Sequence, residues 1–520
     1  MMKYPIGIQT FEKIVQDGYV YVDKTELIHK LVTTGTVYFL CRPRRFGKSL
    51  LLSTIKAYFL GKKELFKGLA MESLETEWAE YPVFHLDFNG QNFTQPDELK
   101  KSIEGFIAKA EAEYGKGSFA ETIGDRFLAV LAAAHAKTGR RCVVLVDEYD
   151  KPLLDVLDSD IEGRNRETLK AFYSTFKAAD EHLRFVMLTG VTKFSQITVF
   201  SGLNQPRDIS MSPQYEAICG ISEDELHGCF TEQVADMALK YGVSTPEMFE
   251  LLRRQYDGYH FSENMLNIYN PFSLLNAFEE KRLDNFWFRS GTPTYLIKLM
   301  EHFKENINEM TSRPYSPDEF IDYRADVERP LPMIYQSGYL TITGYDKRRN
   351  RYRLDFPNNE VKSGFLTMIA NSYLKLRRSF NSWIDDLADS LEDGDLEKFR
   401  TLMTSFLASI PYSERRKEDE PERERYFHYT FYLILRMISV YTVFTEKETS
   451  QGRADCVVET PGYIYIFEFK LDGTAEEAIN QINEKGYARE YEADPRPLYK
   501  IGCGFSSAYG TVSDWAVEPR

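Results

Sequence analysis

A glycine-lysine-serine triplet lies within the stretch LCRPRRFGKSLL at 40–51. These residue types build a phosphate cradle: Gly47 lets backbone N–H groups approach the phosphates, Lys48 reaches the β and γ oxygens, and Ser49 offers its hydroxyl to Mg²⁺. The usual motif has another glycine five positions before the second one, and Arg42 stands there instead. The triplet therefore predicts a site for ATP and Mg²⁺ whose loop enters by another backbone path. A basic turn that contains the triplet by chance is the alternative.

Acidic residues that would complete this site follow a second apolar run, VVLVDEYDKPL at 143–153. Asp147 at the carboxyl end of that strand would hold Mg²⁺ through water, and Glu148 would orient the attacking water. A third apolar run, RFVMLTG at 184–190, ends in Thr189. We expect Thr189 to lie between the other two motifs and to sense the γ-phosphate; a threonine that simply ends a strand is the alternative.

Four arginines are candidates for a part in the same nucleotide site. Arg44 and Arg45, inside the loop, either add phosphate contacts or face solvent. Arg207 and Arg289 are candidates for an arginine finger, but neither can be assigned. A loop that holds nucleotide structurally, without turnover, is an alternative to an ATPase.

A second set of residues with chemical potential comprises Asp455, Glu468 and Lys470, followed by Gln481. Alternate side chains of a strand share a face, so Glu468 and Lys470 point the same way. If the strand register places Asp455 opposite Glu468, two carboxylates and an ammonium group meet. Two carboxylates can hold Mg²⁺, which polarises a scissile phosphate while a lysine positions water. The pattern predicts a nuclease site; a surface salt bridge on an exposed strand is the alternative.

The elements that position the first site alternate between strands and helices. Strands are predicted at 37–41, 83–88, 142–147 and 185–189, and helices at 49–60, 99–114 and 125–137. Such alternation predicts an α/β fold with a mostly parallel sheet that helices cover on both sides. The triplet and the acidic residues then lie at the expected ends of two parallel strands.

The middle of the chain has a helical pattern that ends in a predicted hairpin. Capping boxes begin at Ser222 and Ser316. The hairpin at 339–356 has a basic tip at 347–351, either a DNA contact or a solvated turn. Helices followed by such a hairpin indicate a winged-helix-like region.

The last part is predicted as a separate α/β nuclease-like domain. Strands at 454–459 and 463–471 flank a Thr-Pro-Gly turn, and Thr474 caps the helix that carries Gln481. A mixed-charge run at 413–425 is interpreted as a loop or linker before this domain. The predicted domains are 1–210, 211–410 and 411–520.

The composition of the chain is typical of a folded protein without disulfide bonds or membrane helices. The 520 residues are 43% hydrophobic and 14% aromatic, which indicates large folded cores. A net charge of -15 argues against non-specific coating of DNA or anionic membranes. Six scattered cysteines without a C-x-x-C pair, and an N-terminus without an apolar signal-peptide core, indicate a reducing cytoplasm. The apolar stretch 427–444, which contains His428 and Arg436, is interpreted as a buried helix followed by a strand, rather than a membrane helix.

With both sites identified, the chain resembles AAA-ATPase-like proteins that carry a C-terminal PD-(D/E)XK nuclease-superfamily domain. The resemblance covers nearly the whole chain and rests on GYVYVDKTELI (18–28), RPRRFGKSLLLSTIKAYF (42–59), VLVDEYDKPL (144–153), TGVTKFSQITVFSGLN (189–204), YDGYHF (256–261), YNPFSLL (269–275), SGTPTYLI (290–297) and GRADCVVETPGYIYIFEFKLDGTAEEAINQI (452–482). It implies that RPRRFGKS is a family form of the phosphate loop. A glutamate that often precedes the nuclease strands has Glu424 as its nearest candidate.

The resemblance also implies roles for the residues singled out above. The ATP and Mg²⁺ residues would be Lys48, Ser49, Asp147 and Glu148, and the nuclease core would be Asp455, Glu468 and Lys470 with Gln481 accessory. We therefore expect a cytoplasmic ATPase coupled to a Mg²⁺-dependent nuclease that acts on DNA more than on RNA. The alternative is a signalling ATPase whose nuclease-like domain binds nucleic acid or protein without cutting. The oligomeric state stays open.

Overall fold

The computed structural model describes residues 2–117, 120–157, 159–194, 206–290, 310–311, 313–321, 330–374, 381–409, 430, 434–435, 442–449 and 452–520. The chain divides into two compact units, Met1–Val361 and Lys362–Arg520. The predicted division at residues 210 and 410 stays a prediction.

The first unit contains a five-stranded parallel sheet. Its strands are β1 (Val37–Cys41), β2 (Val83–Asp87), β3 (Cys142–Asp147), β4 (Leu183–Gly190) and β5 (Arg207–Asp208), in the spatial order β2-β3-β4-β1-β5. The four strands predicted from apolar runs are confirmed, with ends that differ by at most two residues. Because β1 and β3 both flank β4, the phosphate loop after β1 and the acidic residues after β3 lie at one edge of the sheet.

The helices Phe11–Gln16 and Thr25–Thr34 precede β1. The helices between the strands are Lys48–Phe59, Ala70–Leu74, Glu98–Tyr114, Ile123–Thr138, Lys151–Leu154 and Asp160–Ala178. Both faces of β3 are buried. Val144 and Val146 join a core with Phe127 and Phe172, whereas the alternate residue Val143 is equally buried on the opposite face. A strand enclosed on both sides explains the continuous apolar run, which is typical of parallel sheets.

The rest of the first unit is largely helical. Its helices are Glu223–Tyr241, Thr245–Tyr256, Pro271–Glu280, Phe286–Arg289, Pro317–Phe320 and Leu331–Gln336, with a short strand pair, β6 (Ile221–Ser222) and β7 (Ile268–Tyr269). Both predicted capping boxes are present, at Ser222 with Glu225 and at Ser316 with Glu319. The predicted hairpin is confirmed as β8 (Thr341–Asp346) and β9 (Arg351–Asp355), antiparallel. Its winged-helix-like character stays a prediction.

The second unit contains a mixed five-stranded sheet in sequential order: β10 (Thr442–Thr449), β11 (Gly452–Glu459), β12 (Ile464–Leu471), β13 (Leu498–Ser506) and β14 (Thr511–Pro519). Its helices are Asn359–Leu374, which begins at the end of the first unit, Asn381–Glu392, Leu396–Ser409 and Ala475–Glu484. Only β12 and β13 are parallel, and the helix Ala475–Glu484 connects them. This crossover brings the helix residue Gln481 over β12.

Some predicted features lie outside the described residues. These are the mixed-charge run 413–425, the candidate Glu424 and most of the apolar stretch 427–444, from which Thr430, Ile434 and Leu435 are described as helical. Within the described part of the chain, no helix combines the length and apolar character needed to span a bilayer.

Candidate functional sites

The predicted phosphate loop joins β1 to the helix Lys48–Phe59, and its backbone is open to a ligand. Gly47 has a φ of 95°, a left-handed conformation that favours glycine, and a Cβ atom there would meet nothing within 4 Å. Within the described residues, the backbone N–H groups of 44–49 donate no hydrogen bond to the protein. These unused donors at a helix N-terminus form a suitable cradle for an anion.

Lys48 is buried beneath this loop. Its ammonium group donates hydrogen bonds to the carbonyl oxygens of Arg42 at 3.0 Å and Pro43 at 3.1 Å. The positive charge of Lys48 also opposes the rise in the pKa values of Glu148 and Asp150. The structure therefore brings the lysine of the triplet close to the acidic residues after β3.

Arg42, in the place of the usual first glycine, has its side chain buried away from the loop opening. Its guanidinium group donates to the carbonyl oxygens of Ser210 at 2.7 Å and Tyr215 at 3.2 Å, and lies 3.9 Å from the ring centre of Phe261. The residue fastens the start of the loop to the segment after β5. These bonds fix the start of the loop, and the different backbone entry expected from the sequence stays a prediction.

The neighbouring arginines are exposed and lie at the mouth of the loop. Arg44 uses its backbone carbonyl to accept a hydrogen bond from the indole of Trp287, and the Arg45 guanidinium lies 5.1 Å from the ring centre of Phe272. Neither arginine forms an ion pair within the described residues. Whether they contact phosphate stays a prediction.

The acidic edge of the site is formed by three strands. Asp147 is buried and accepts a 2.6 Å hydrogen bond from the Thr189 hydroxyl, so the structure brings these two residues together. The γ-phosphate sensing expected of Thr189 stays a prediction. Asp87, at the end of β2, pairs in register with Asp147, and burial raises its pKa. Glu148 has a left-handed φ of 50°, and burial raises its pKa as well. Raised pKa values in neighbouring carboxyl groups mark this edge of the sheet as a candidate functional site.

Two acids of this edge were missed from the sequence. Asp87 ends a strand in HLDF, a weak signal, and Asp150 is the second aspartate of VDEYD. Asp150 is buried and accepts hydrogen bonds from the N–H groups of Val191 at 2.9 Å and Thr192 at 2.6 Å; burial raises its pKa to about 6. It ties the loop after β3 to the loop after β4.

The second predicted site forms where β11 and β12 separate. The strand pairing ends at Cys456 and Phe467, and just beyond it the Asp455 N–H donates to the Glu468 carboxylate at 3.4 Å. At that point the Asp455 carboxylate accepts the Phe469 N–H at 2.8 Å. The conditional prediction about the register is thereby met.

Four side chains converge at this point. Glu468 is 1% exposed and accepts a hydrogen bond from the Gln481 amide, whose oxygen accepts one from Lys470 Nζ at 2.6 Å. Lys470 Nζ lies 3.9 Å from the nearer Glu468 oxygen. Burial and the nearby Asp455 raise the pKa of Glu468 to about 8, although Lys470 opposes the rise.

This cluster fits a divalent cation. The Asp455 carboxylate lies close enough to raise the pKa of Glu468, and Lys470 Nζ, at 3.9 Å, is too distant for a hydrogen bond to Glu468. Oxygen donors of this kind suit Mg²⁺ or Mn²⁺. Within the described residues, no group of three His, Cys, Asp or Glu side chains gathers around one point. The remaining ligands would be water and substrate oxygens.

Comparison with known proteins agrees with both halves of this description. A family model described as a predicted AAA-ATPase matches residues 5–200, and a model of the PD-(D/E)XK nuclease superfamily matches residues 422–515. An uncharacterized protein from the vnfD 5' region of Azotobacter chroococcum mcd 1 is 36% identical over 528 residues, which cover 99% of each chain.

A solved structure of the Aeropyrum pernix Orc1 protein in complex with DNA also matches, with 12% identity over 66% of this chain and 91% of that chain. Its TM-score of 0.23 is too low to bear on the present fold or function. The predicted α/β architecture, with a parallel N-terminal sheet and a mixed C-terminal sheet, is confirmed by the structure and the family matches together. The chain belongs to the family of AAA-ATPase-like proteins with a C-terminal PD-(D/E)XK nuclease-superfamily domain.

Proposed function

We propose that this protein binds and hydrolyses ATP at the phosphate loop. We also propose that it cleaves phosphodiester bonds of DNA at the second site, around Asp455 and Glu468. The observation that carries the proposal is the convergence of Asp455, Glu468, Lys470 and Gln481 at one opening between two strands. The alternative interpretation of the sequence is a salt bridge on an exposed strand. The burial of Glu468, which is 1% exposed and has a raised pKa, does not fit that alternative.

In the nucleotide half, the free N–H groups of 44–49 would bind the phosphates, and Lys48 would exchange its two backbone acceptors for phosphate oxygens. Ser49 and Asp147 would hold Mg²⁺, which neutralises charge on the β and γ phosphates when it is bound. Thr189 orients Asp147 through its hydroxyl. Glu148, poised by its strained backbone and raised pKa, would orient the attacking water.

An apolar cavity adjoins Gly47, and its position suits the base of the nucleotide. The lining includes Val20, Leu50, Ile218 and Leu275 from separate segments of the first unit. The flat aromatic faces of the base gain from burial in such a cavity, whereas the phosphates remain at the polar loop.

In the second half, Asp455 and Glu468 would hold Mg²⁺, which polarises the scissile phosphate and lowers the pKa of an attacking water when it is bound. Glu468 releases its proton before it can serve as a ligand, because its pKa is raised to about 8. Gln481 bridges Glu468 and Lys470 and so fixes the direction of the ammonium group. Lys470 then positions water or stabilises charge on the phosphate.

The nuclease half is tested by incubation of plasmid DNA, and separately RNA, with wild type, Lys470→Ala and Lys500→Ala in the presence of Mg²⁺ or Mn²⁺. Lys500 is a matched control because it pairs with Glu518 at 2.7 Å outside the cluster. We expect metal-dependent cutting of DNA that only Lys470→Ala abolishes. No cutting by wild type, or equal cutting by wild type and Lys470→Ala, would favour a domain that binds nucleic acid or protein without cleavage.

The ATPase half is tested by phosphate release from wild type and Glu148→Gln. We expect hydrolysis to fall at least about tenfold in the variant while ATP still binds. Equal rates in the two proteins would indicate a nucleotide that is held without turnover.

A further inference from the structure

The indole of Trp287 contacts the phosphate loop from the helical part of the first unit. Trp287 is 6% exposed, and its Nε1–H donates a 3.0 Å hydrogen bond to the backbone carbonyl oxygen of Arg44. None of the sequence motifs that indicated the nucleotide site includes this tryptophan. The two residues are separated by 243 positions in the chain, so the contact depends wholly on the tertiary fold.

Trp287 is itself held by a buried carboxylate. Its backbone N–H donates to Glu360 at 2.7 Å, the Ser273 hydroxyl donates to the other oxygen of Glu360 at 2.7 Å, and the Phe288 N–H is a third donor. Glu360 is 1% exposed. The Tyr339 ring packs against the indole at a centroid distance of 5.3 Å. A side chain fixed by its backbone and its ring has little freedom to move.

The loop is also restrained on its other side. Gly338 approaches Pro43 so closely that a Cβ atom at Gly338 would lie 2.7 Å from two carbons of the proline ring. Arg44 lies between this contact and Gly47. The helical region thus holds the loop at Pro43 and at the Arg44 carbonyl, while the N–H groups of 44–49 stay available.

The geometry of the peptide bond gives the Trp287 contact a consequence for ligand binding. The Arg44 carbonyl and the Arg45 N–H belong to one planar trans peptide and point in opposite directions. Fixing the carbonyl toward the indole therefore fixes the Arg45 N–H away from it. The hydrogen bond selects one orientation of a donor within the cradle.

We propose that Trp287 is a positioning residue for the phosphate loop, and that Glu360 acts on the loop through Trp287. The inference rests on the proposed function of the loop as a nucleotide site. Neither side chain is required to touch ATP. Their contribution is to keep the loop backbone in a binding-competent orientation before the nucleotide arrives, which lowers the ordering cost of binding.

The test compares full-length wild type with Trp287→Phe, Glu360→Gln and the control Trp78→Phe. Trp78 also uses its indole to donate to a backbone carbonyl, that of Glu75 at 3.1 Å, but lies apart from the loop. Two quantities are measured: the NMR order parameters of the amides 44–48 without nucleotide, and ATP affinity by calorimetry. We expect Trp287→Phe to lower these order parameters and to bind ATP about five- to tenfold more weakly, with no change in Trp78→Phe.

The relay from Glu360 is tested by the double variant. If Glu360 acts through Trp287, Glu360→Gln weakens ATP binding in wild type but adds no further loss in the Trp287→Phe protein. Independent losses would overturn the relay. Unchanged order parameters and affinity in Trp287→Phe, or equal changes in Trp78→Phe, would overturn the positioning role.

The outcomes also separate this inference from the proposed function. Absence of ATP binding by wild type would remove the proposed function and, with it, the role of Trp287 in nucleotide binding. Binding by wild type with unchanged Trp287→Phe affinity would leave the proposed function intact and refute the inference alone.

Discussion

The ammonium group of Lys48 donates a 3.0 Å hydrogen bond to the backbone carbonyl oxygen of Arg42, within the loop that we propose binds phosphate. A second bond joins the same ammonium to Pro43 at 3.1 Å. The lysine therefore stabilises the loop without nucleotide, and it can donate to phosphate either through its third N–H or in exchange for these partners. Loop conformation and nucleotide binding depend on one side chain.

The first prediction concerns this double role. Lys48→Met keeps the aliphatic stem but removes the charge, so we expect ATP affinity to fall at least about tenfold and the free energy of unfolding to fall by about 1–2 kcal/mol. Calorimetry and urea unfolding measure the two effects. Lys62→Met is the control, because Lys62 forms a partly exposed ion pair with Glu12; it should change neither quantity by much. Unaltered ATP binding by Lys48→Met would contradict the proposed site.

The second prediction concerns the hydroxyl that orients Asp147. Thr189→Val removes the donor to a buried carboxylate, so we expect a loss of about 1–3 kcal/mol in the free energy of unfolding and at least about tenfold slower ATP hydrolysis. Thr192→Val is a matched control, because the buried Thr192 hydroxyl has no hydrogen-bond partner among the described residues. That control should be neutral or stabilising. Comparable effects of the two substitutions would show that the Thr189 hydroxyl has no special role.

The third prediction concerns the unusual start of the loop. Arg42→Gly would restore the common motif, yet we expect it to lower the free energy of unfolding by at least about 2 kcal/mol and to weaken ATP binding. The reason is the loss of the hydrogen bonds to Ser210 and Tyr215, which leaves their carbonyl oxygens unpaired. Arg44→Gly, at an exposed side chain, should cost much less stability. A gain in ATP affinity with Arg42→Gly would contradict this argument, because it would show that a glycine serves the loop better than Arg42 does.

The fourth prediction concerns pH at the second site. Because the pKa of Glu468 is raised to about 8, its carboxyl group is protonated at pH 6 and loses the proton when metal binds. Apparent Mn²⁺ affinity should therefore rise up to about tenfold per pH unit below pH 8 and level off above it. Calorimetry from pH 6.5 to 9 measures this dependence.

The control for that titration is Asp494→Asn, at a carboxylate whose pKa the Arg496 guanidinium lowers to about 2. This variant should keep the pH dependence of Mn²⁺ binding, whereas Glu468→Gln should lose most of the binding. An affinity that is independent of pH in wild type would exclude Glu468 as the ligand that exchanges its proton for metal.

Local sequence predicted the strands that carry the candidate site residues, and which of their residues share a face. Apolar runs predicted β1 to β4 with small errors at the ends, because burial on both sides of a parallel sheet requires continuous apolar residues. The period of two placed Glu468 and Lys470 on one face of β12. These properties depend on neighbours in the chain and can be inferred without knowledge of the rest of the fold.

Tertiary structure decided how distant residues meet. The register of β11 against β12 brings Asp455 to Glu468, and the order of β2 beside β3 adds Asp87 to the first site. The Arg42 guanidinium bonds to carbonyl groups more than 160 positions away, and the Trp287 indole bonds to a loop residue 243 positions away. Strand register, burial and the hydrogen-bond partners of buried groups are set by packing between segments far apart in the chain, so local pattern alone does not encode them.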